Sequence, residues 1–127
     1  MKRALAALFL AATAALPPGA AACGACDEDK IAATYDHAVI ERAQREHGAV
    51  VFAAISGSGS AAHLEKIAVQ VARRTHGVDR ASVRSSQSPL ALSFAVDAKT
   101  DPAKALADVQ RAAGAAGAQL ALVKVQR

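Results

Sequence analysis

The sequence contains few of the residues that dominate catalytic and nucleic-acid-binding surfaces. Its 127 residues include three phenylalanines, one tyrosine, one methionine, two cysteines and no tryptophan. So few aromatic side chains leave no platform on which bases could stack, and we expect no nucleic-acid partner. Two cysteines allow at most one thiolate site. The chain also lacks the Gly-x-Ser-x-Gly, His-Glu-x-x-His and Gly-x-x-x-x-Gly-Lys motifs, so we expect a protein that is not an enzyme.

Long apolar runs are also scarce, and the only one begins almost at the amino terminus. Lys2 and Arg3 precede the apolar residues 4–16, and prolines and small residues follow. This is the layout of a secretory signal peptide, and the run is shorter than the ~18–20 residues of a membrane span. We expect residues 1–22 to be a signal peptide, no transmembrane span, and an exported protein that is periplasmic or secreted. Because Cys23 would follow the cleavage site, its lipidation is an alternative that would anchor the protein to a membrane.

The basic balance of the sequence says little about partners. The formal net charge is +4, and Lys2 and Arg3 supply half of it. A local excess of arginine remains between residues 73 and 84 (Arg73, Arg74, Arg80 and Arg84). Without exposed aromatic residues beside it, this group indicates a solvated face rather than a nucleic-acid interface.

From residue 49 onward the pattern is that of one α+β domain. The predicted elements are a strand at 49–55, a helix capped by Ser60, strands at 81–85 and 90–96 around a turn at 86–89, a helix opened by Asp101-Pro102, and a strand at 119–125. This βαββαβ order predicts a ferredoxin-like fold, with a four-stranded antiparallel sheet and two helices on one face. The large residues of the third strand, such as Phe94, should face those helices, leaving small ones such as Ser93 on the other face.

An extra N-terminal helix is predicted before this domain, over residues 27–47. Its apolar stripe at helical spacing consists of Ile31, Tyr35, Ala38, Val39 and Ala43. We expect this stripe to lie across part of the sheet or its edge, with His47-Gly48 ending the helix in a left-handed turn. The chain therefore divides into a signal peptide (1–22), a Cys-x-x-Cys arm with a helix (23–48) and a ferredoxin-like domain (49–127).

Several local features of the domain point to one known family. They are Gly57 after the first strand, the helical segment Leu64-Glu65-Lys66-Ile67, the turn His76-Gly77-Val78, Asp101-Pro102 and Gly117. With these features, residues 49–125 resemble the heavy-metal-associated domain of copper chaperones and metal-pumping ATPases. The resemblance implies a ferredoxin-like fold, binding of a soft metal ion, and a metal donor or acceptor protein as partner.

The metal-binding motif of that family is altered in this chain. The family carries Gly-Met-Thr-Cys-x-x-Cys in the loop after the first strand, but Ser60 and His63 stand at the two cysteine positions here. A serine hydroxyl is a poor ligand for Cu(I), which prefers thiolate or thioether sulfur. The family's metal site therefore cannot be transferred to these positions, and only His63 stays a candidate ligand.

The two cysteines form a Cys-x-x-Cys motif elsewhere, at Cys23-Gly24-Ala25-Cys26. Their thiolates could bind Cu(I) or half of a tetrahedral Zn(II) site, with His63 as a third ligand if the arm folds back. Three acidic residues at 27–29 add negative charge that favours a cation.

Other interpretations of the pair stay open. A disulfide would close a very short loop and stabilise the fold little. A redox-active pair is less consistent with the three acids, which raise a thiol pKa. Lipidation of Cys23 would remove one thiolate, and the domain would then serve as an interaction module or small lipoprotein that keeps only the fold.

Overall fold

The computed structural model describes residues 36–127, which form three α-helices, one 3₁₀ turn and four strands. In chain order these are α1 (His37–Arg45), β1 (Ala49–Gly57), α2 (Ala61–Arg74), the 3₁₀ turn (Arg80–Ser82), β2 (Arg84–Gln87), β3 (Leu90–Val96), α3 (Pro102–Ala115) and β4 (Ala118–Gln126). None of these helices is both long and apolar enough to cross a bilayer. The predicted signal peptide, Cys23 and Cys26 lie outside the described residues.

The four strands form one antiparallel sheet in the order β2-β3-β1-β4. β1 is central and pairs with β3 on one side, where Val51 lies opposite Phe94, and with β4 on the other. Helices α2 and α3 begin where predicted, because Ser60 and Asp101 cap their first turns with side-chain hydrogen bonds. The predicted ferredoxin-like α+β fold is confirmed.

The larger core lies between the sheet and the helices α2 and α3. It contains alternate residues of β1 and β3 together with the inner faces of both helices. Phe94 and Leu92 are fully buried in it, as the alternation in the third strand predicts.

A smaller core lies on the opposite face of the sheet, beneath α1. Val39, Ile40 and Ala43 of α1 pack there against a group of sheet residues (Val50, Phe52, Ala91 and Ala95). The expectation that the leading helix crosses the sheet is therefore confirmed for its described part. Both faces of β1 are covered, which explains its nearly unbroken run of apolar residues.

The predicted start of this helix is wrong. Asp36 has extended backbone angles, and its side chain accepts a hydrogen bond from the backbone N–H of Ala38, so the helix begins at His37 and not at residue 27. Ala38, which was predicted to belong to the apolar stripe, is exposed. Ile40 is buried against the sheet instead. Ile31 and Tyr35 lie outside the described residues.

The position of the second predicted strand also needs correction. The strand expected at 81–85 is β2 at Arg84–Gln87, because Asp79 caps a 3₁₀ turn through residues 80–82. Ser82 is buried there and its hydroxyl donates to the Asp79 carbonyl at 2.6 Å and accepts from the Ala95 N–H at 2.8 Å. These bonds hold the turn against β3, so pairing of β2 with β3 begins at Arg84, three residues after the predicted start.

Candidate functional site

The loop between β1 and α2 leads to Ser60 and His63, the two positions that the sequence analysis singled out. Gly57 and Gly59 adopt positive φ angles of 145° and 128°. A side chain at Gly57 would also lie 2.6 Å from the Gly117 carbonyl oxygen. The chain therefore passes directly against the start of β4 before α2 begins, and this close contact needs glycine.

Ser60 and His63 are brought together by the first turn of α2. The Ser60 hydroxyl accepts a hydrogen bond from the His63 backbone N–H at 3.2 Å, as an N-cap. The imidazole of His63 is exposed and has no hydrogen bond or ion pair with any residue from 36 to 127. Because the serine hydroxyl is used in capping, this turn offers one metal ligand and not two.

The described residues contain no group of three or more His, Cys, Asp or Glu side chains that could hold a metal ion. His37, His47 and His76 are exposed and are not gathered around His63. His47 has a φ of 56° and forms the left-handed turn after α1, which was predicted for the pair His47-Gly48. A soft-metal site therefore needs Cys23 and Cys26, which lie outside the described part of the chain.

Helix α1 joins the Cys-x-x-Cys arm to the sheet through charged contacts as well as the smaller core. Asp36, where the arm ends, lies 3.5 Å from the Arg84 guanidinium at the start of β2. Arg42 lies 3.4 Å from Asp79 next to the 3₁₀ turn. Gln44 donates to the backbone carbonyl of Arg127 at 3.4 Å. Arg84 therefore has a structural partner, whereas the sequence grouped it with a solvated basic face.

Glu65 connects α2 to the edge strand β2. Its two carboxylate oxygens accept hydrogen bonds from the Ser85 hydroxyl and the Gln87 side-chain amide, both at 2.6 Å. The bond from Ser85, and to a lesser extent that from Gln87, lowers the pKa of the Glu65 carboxyl. The sequence carried no signal for this contact, because β2 has little hydrophobic pattern and its partner lies twenty residues away.

This contact predicts a pH-dependent contribution to stability. A carboxyl whose pKa is lowered by folding stabilises the protein above its ordinary pKa, near 4.5, and loses that contribution as the pH falls through the folded value. We expect Glu65→Gln to cost about 0.5 kcal/mol at pH 7, a small effect because the carboxylate is open to solvent. The difference from the unmutated protein should shrink below pH 4.5, measured by urea unfolding at several pH values. Ser85→Ala should show the same trend, and a difference that grows on acidification would contradict it.

Comparison with known proteins identifies no relative: no family model, no curated protein and no solved structure matches the chain. The resemblance to heavy-metal-associated domains therefore rests on the sequence features quoted above.

Proposed function

We propose that this protein is exported and binds a soft metal ion, Cu(I) or Zn(II), through Cys23 and Cys26, exchanging it with a donor or acceptor protein. His63 is proposed as a third ligand. The observation that carries the proposal is that α1, which directly follows the Cys-x-x-Cys arm, packs into the folded domain through a core of its own. The arm with its two cysteines is thereby attached to a domain in which the first turn of α2 offers one further candidate ligand, His63.

The length of the arm is compatible with a site shared between Cys26 and His63. Asp36 lies beside Arg84 of β2. Arg84 pairs with Ser93 of β3, and Ser93 pairs with Phe52 near the middle of β1. Asp36 is therefore level with the middle of β1. From that level to the Gly57 end of β1 is about 17 Å. The ten residues from Cys26 to Asp36 can span up to ~33 Å when extended. Asp36 also lies two strands away from β1, a further ~10 Å across the sheet. The combined distance of about 20 Å stays within the span of the arm, so the thiols can reach the first turn of α2 while α1 stays packed on the sheet.

The chemistry of the donors favours a soft cation. Two thiolates suffice for linear Cu(I), and the exposed imidazole of His63 would make the site trigonal. Zn(II) would need a fourth ligand, for which water or an acidic side chain from residues 27–29 is suitable. The acidic residues also add negative charge that attracts a cation.

Metal titration tests this proposal directly. The protein, expressed from its full-length sequence, purified and reduced, is titrated anaerobically with Cu(I) and Zn(II) against a chromophoric chelator. We expect one tightly bound ion, and a loss of affinity of at least about a thousandfold in Cys23→Ser/Cys26→Ser, because no thiolate would remain. His63→Ala should weaken binding about tenfold, and His37→Ala is its matched control, an exposed histidine on α1 that should change nothing. Unchanged affinity in the double-serine variant, or no binding by the unmutated protein, would refute the proposal.

The intact mass of the purified protein separates the proposal from its main alternative. Cleavage before Cys23 with two free thiols is expected. A diacylglycerol adduct on Cys23 would instead indicate a lipoprotein in which this thiolate is not available, and the metal proposal would fail.

A further inference from the structure

Helix α2 carries positive charge along the side that faces away from the larger core. Its inner side is buried against the sheet. Its outer side carries four exposed polar residues at the helical spacing i, i+4, i+7 and i+8, namely Lys66, Gln70, Arg73 and Arg74. We call these four residues the α2 face. It contains three cations and no acidic residue over a length of about 12 Å.

The cations of the α2 face have no carboxylate partner among residues 36–127, and this distinguishes α2 from the other two helices. Both arginines of α1 lie within 4 Å of a carboxylate. In α3, Lys104 and Arg111 contact the carboxylate of Asp108 at 3.9 and 2.9 Å. The one acidic residue of α2, Glu65, accepts its hydrogen bonds from β2. No carboxylate of the described residues therefore offsets the charge of the α2 face.

Arg80 extends this positive charge beyond the helix. It is exposed and begins the 3₁₀ turn, which contacts α2. Arg80 forms no ion pair with any residue from 36 to 127, whereas Arg84 is paired with Asp36. The α2 face and Arg80 together form what we call the basic surface.

We propose that the basic surface binds the anionic phospholipid headgroups of a membrane. Lysine and arginine side chains are attracted to an anionic lipid surface without a fitted pocket. An arginine guanidinium can also donate two parallel hydrogen bonds to a phosphate group. The proposal concerns a different ligand from the metal ion and does not depend on metal binding.

The composition of the basic surface favours lipid headgroups over another folded protein. A stable interface between two proteins usually centres on aromatic or apolar side chains that become buried, together with arginine. The sole exposed large hydrophobic residue in the described part of the chain is Leu122, which belongs to β4 and not to this surface. Positive charge on the outer side of a helix, without such a centre, suits a plane of phosphate groups.

Binding through α2 would also orient the protein on the membrane. Helices α2 and α1 cover opposite faces of the sheet. With α2 against the headgroups, α1 would lie on the side of the protein that faces away from the membrane.

Vesicle co-sedimentation tests the proposal. The protein is expressed from its full-length sequence with Cys23→Ser/Cys26→Ser, so that no thiol is present for attachment of a lipid, and is then purified. We expect binding at low salt to vesicles of equal parts phosphatidylglycerol and phosphatidylcholine, and no binding to phosphatidylcholine alone. Binding should be lost near 1 M salt, where the screening length falls to ~3 Å. A protein that does not bind the anionic vesicles at low salt would overturn the proposal.

Charge-neutralising variants locate the binding surface. Arg73→Gln/Arg74→Gln should weaken binding about twentyfold, since each cation near an anionic surface contributes about fivefold. Lys66→Gln/Arg80→Gln should have a similar effect at the other cations of the basic surface, so the test does not depend on one variant.

Arg45→Gln/Lys124→Gln is the matched control for these variants. It removes the same net charge from exposed residues of α1 and β4, and it should weaken binding less than about threefold because those charges are screened from the membrane. Equal weakening by the control would mean that only the total charge matters, and would overturn the proposal. Retention on immobilised polyglutamate without vesicle binding would assign the surface to an acidic protein, which would also overturn it.

Discussion

Replacing Phe94 with alanine is expected to lower the free energy of unfolding by about 3–5 kcal/mol, among the largest effects of any single substitution in this chain. Phe94 is fully buried in the larger core, opposite Val51 of the central strand. The surrounding helices contribute mostly alanines, such as Ala68 and Ala72. Such small side chains cannot move into the vacated volume, so a cavity would remain.

Urea unfolding followed by circular dichroism measures this loss. Phe52→Ala is the matched comparison, because Phe52 is equally buried but lies in the smaller core under α1. Phe52→Ala should also lower the free energy of unfolding by about 3 kcal/mol. Comparing the losses in the two variants then compares the packing on the two faces of the sheet. If Phe94→Ala lowers the free energy of unfolding by less than about 1.5 kcal/mol, the core collapses around the vacated volume. That result would contradict the expectation that a cavity remains.

Gly48→Ala is expected to cost about 3 kcal/mol, the upper end of the range for overpacked sites. A Cβ atom at this position would lie 2.3 Å from the backbone carbonyl oxygen of Val96. That oxygen belongs to β3, next to the pairing of Val96 with Ala49, so relief requires the backbone to move. The turn joining α1 to the sheet would have to shift, loosening the attachment of the arm.

Gly114→Ala provides the control for this prediction. Gly114 is near the end of α3, and a Cβ atom there would meet no atom within 4 Å other than its chain neighbours and the backbone of its own helix. Alanine is a better helix former than glycine, so this variant should gain about 0.5–1 kcal/mol. In thermal or urea unfolding, we expect Gly48→Ala to lower the free energy of unfolding and Gly114→Ala to raise it. A neutral Gly48→Ala would contradict the close approach of α1 and β3.

The order and number of strands in the domain followed from local signals. Ser60 and Asp101 are strong capping residues, and the alternation around Phe94 marks a strand with one face toward the helices. β2 was misplaced because its residues are polar, exposed and without alternation. Its position depends on backbone pairing with β3 and on the bonds to Glu65, neither of which is visible locally.

The start of α1 escaped prediction for a related reason. Apolar residues at helical spacing continue on both sides of Asp36, and only the capping bond to the Ala38 N–H decides where the helix begins. Gly48 was interpreted as a left-handed helix end, but His47 takes that conformation and Gly48 provides space next to Val96.

For the candidate site, the sequence located the unusual residues but could not relate them in space. Ser60, His63 and the Cys-x-x-Cys pair were all recognisable from their spacing. The capping role of Ser60 was predicted as well, because its partner His63 is only three residues away. The position of the end of the arm beside Arg84 depends on packing between distant segments. More than forty residues separate Asp36 from Arg84, and no periodic pattern in the sequence indicates that they meet.

The two cores of the sheet differ in size, and this difference has a consequence for the dynamics of the chain. Among the described residues, eighteen form the core under α2 and α3, and seven form the core under α1. Proteins open in cooperative parts, and the part with the least buried area opens at the lowest free energy. Amide hydrogen exchange should therefore be fastest in α1 among the three helices. Such an opening would release the Cys-x-x-Cys arm from the sheet while the ferredoxin-like core stays folded.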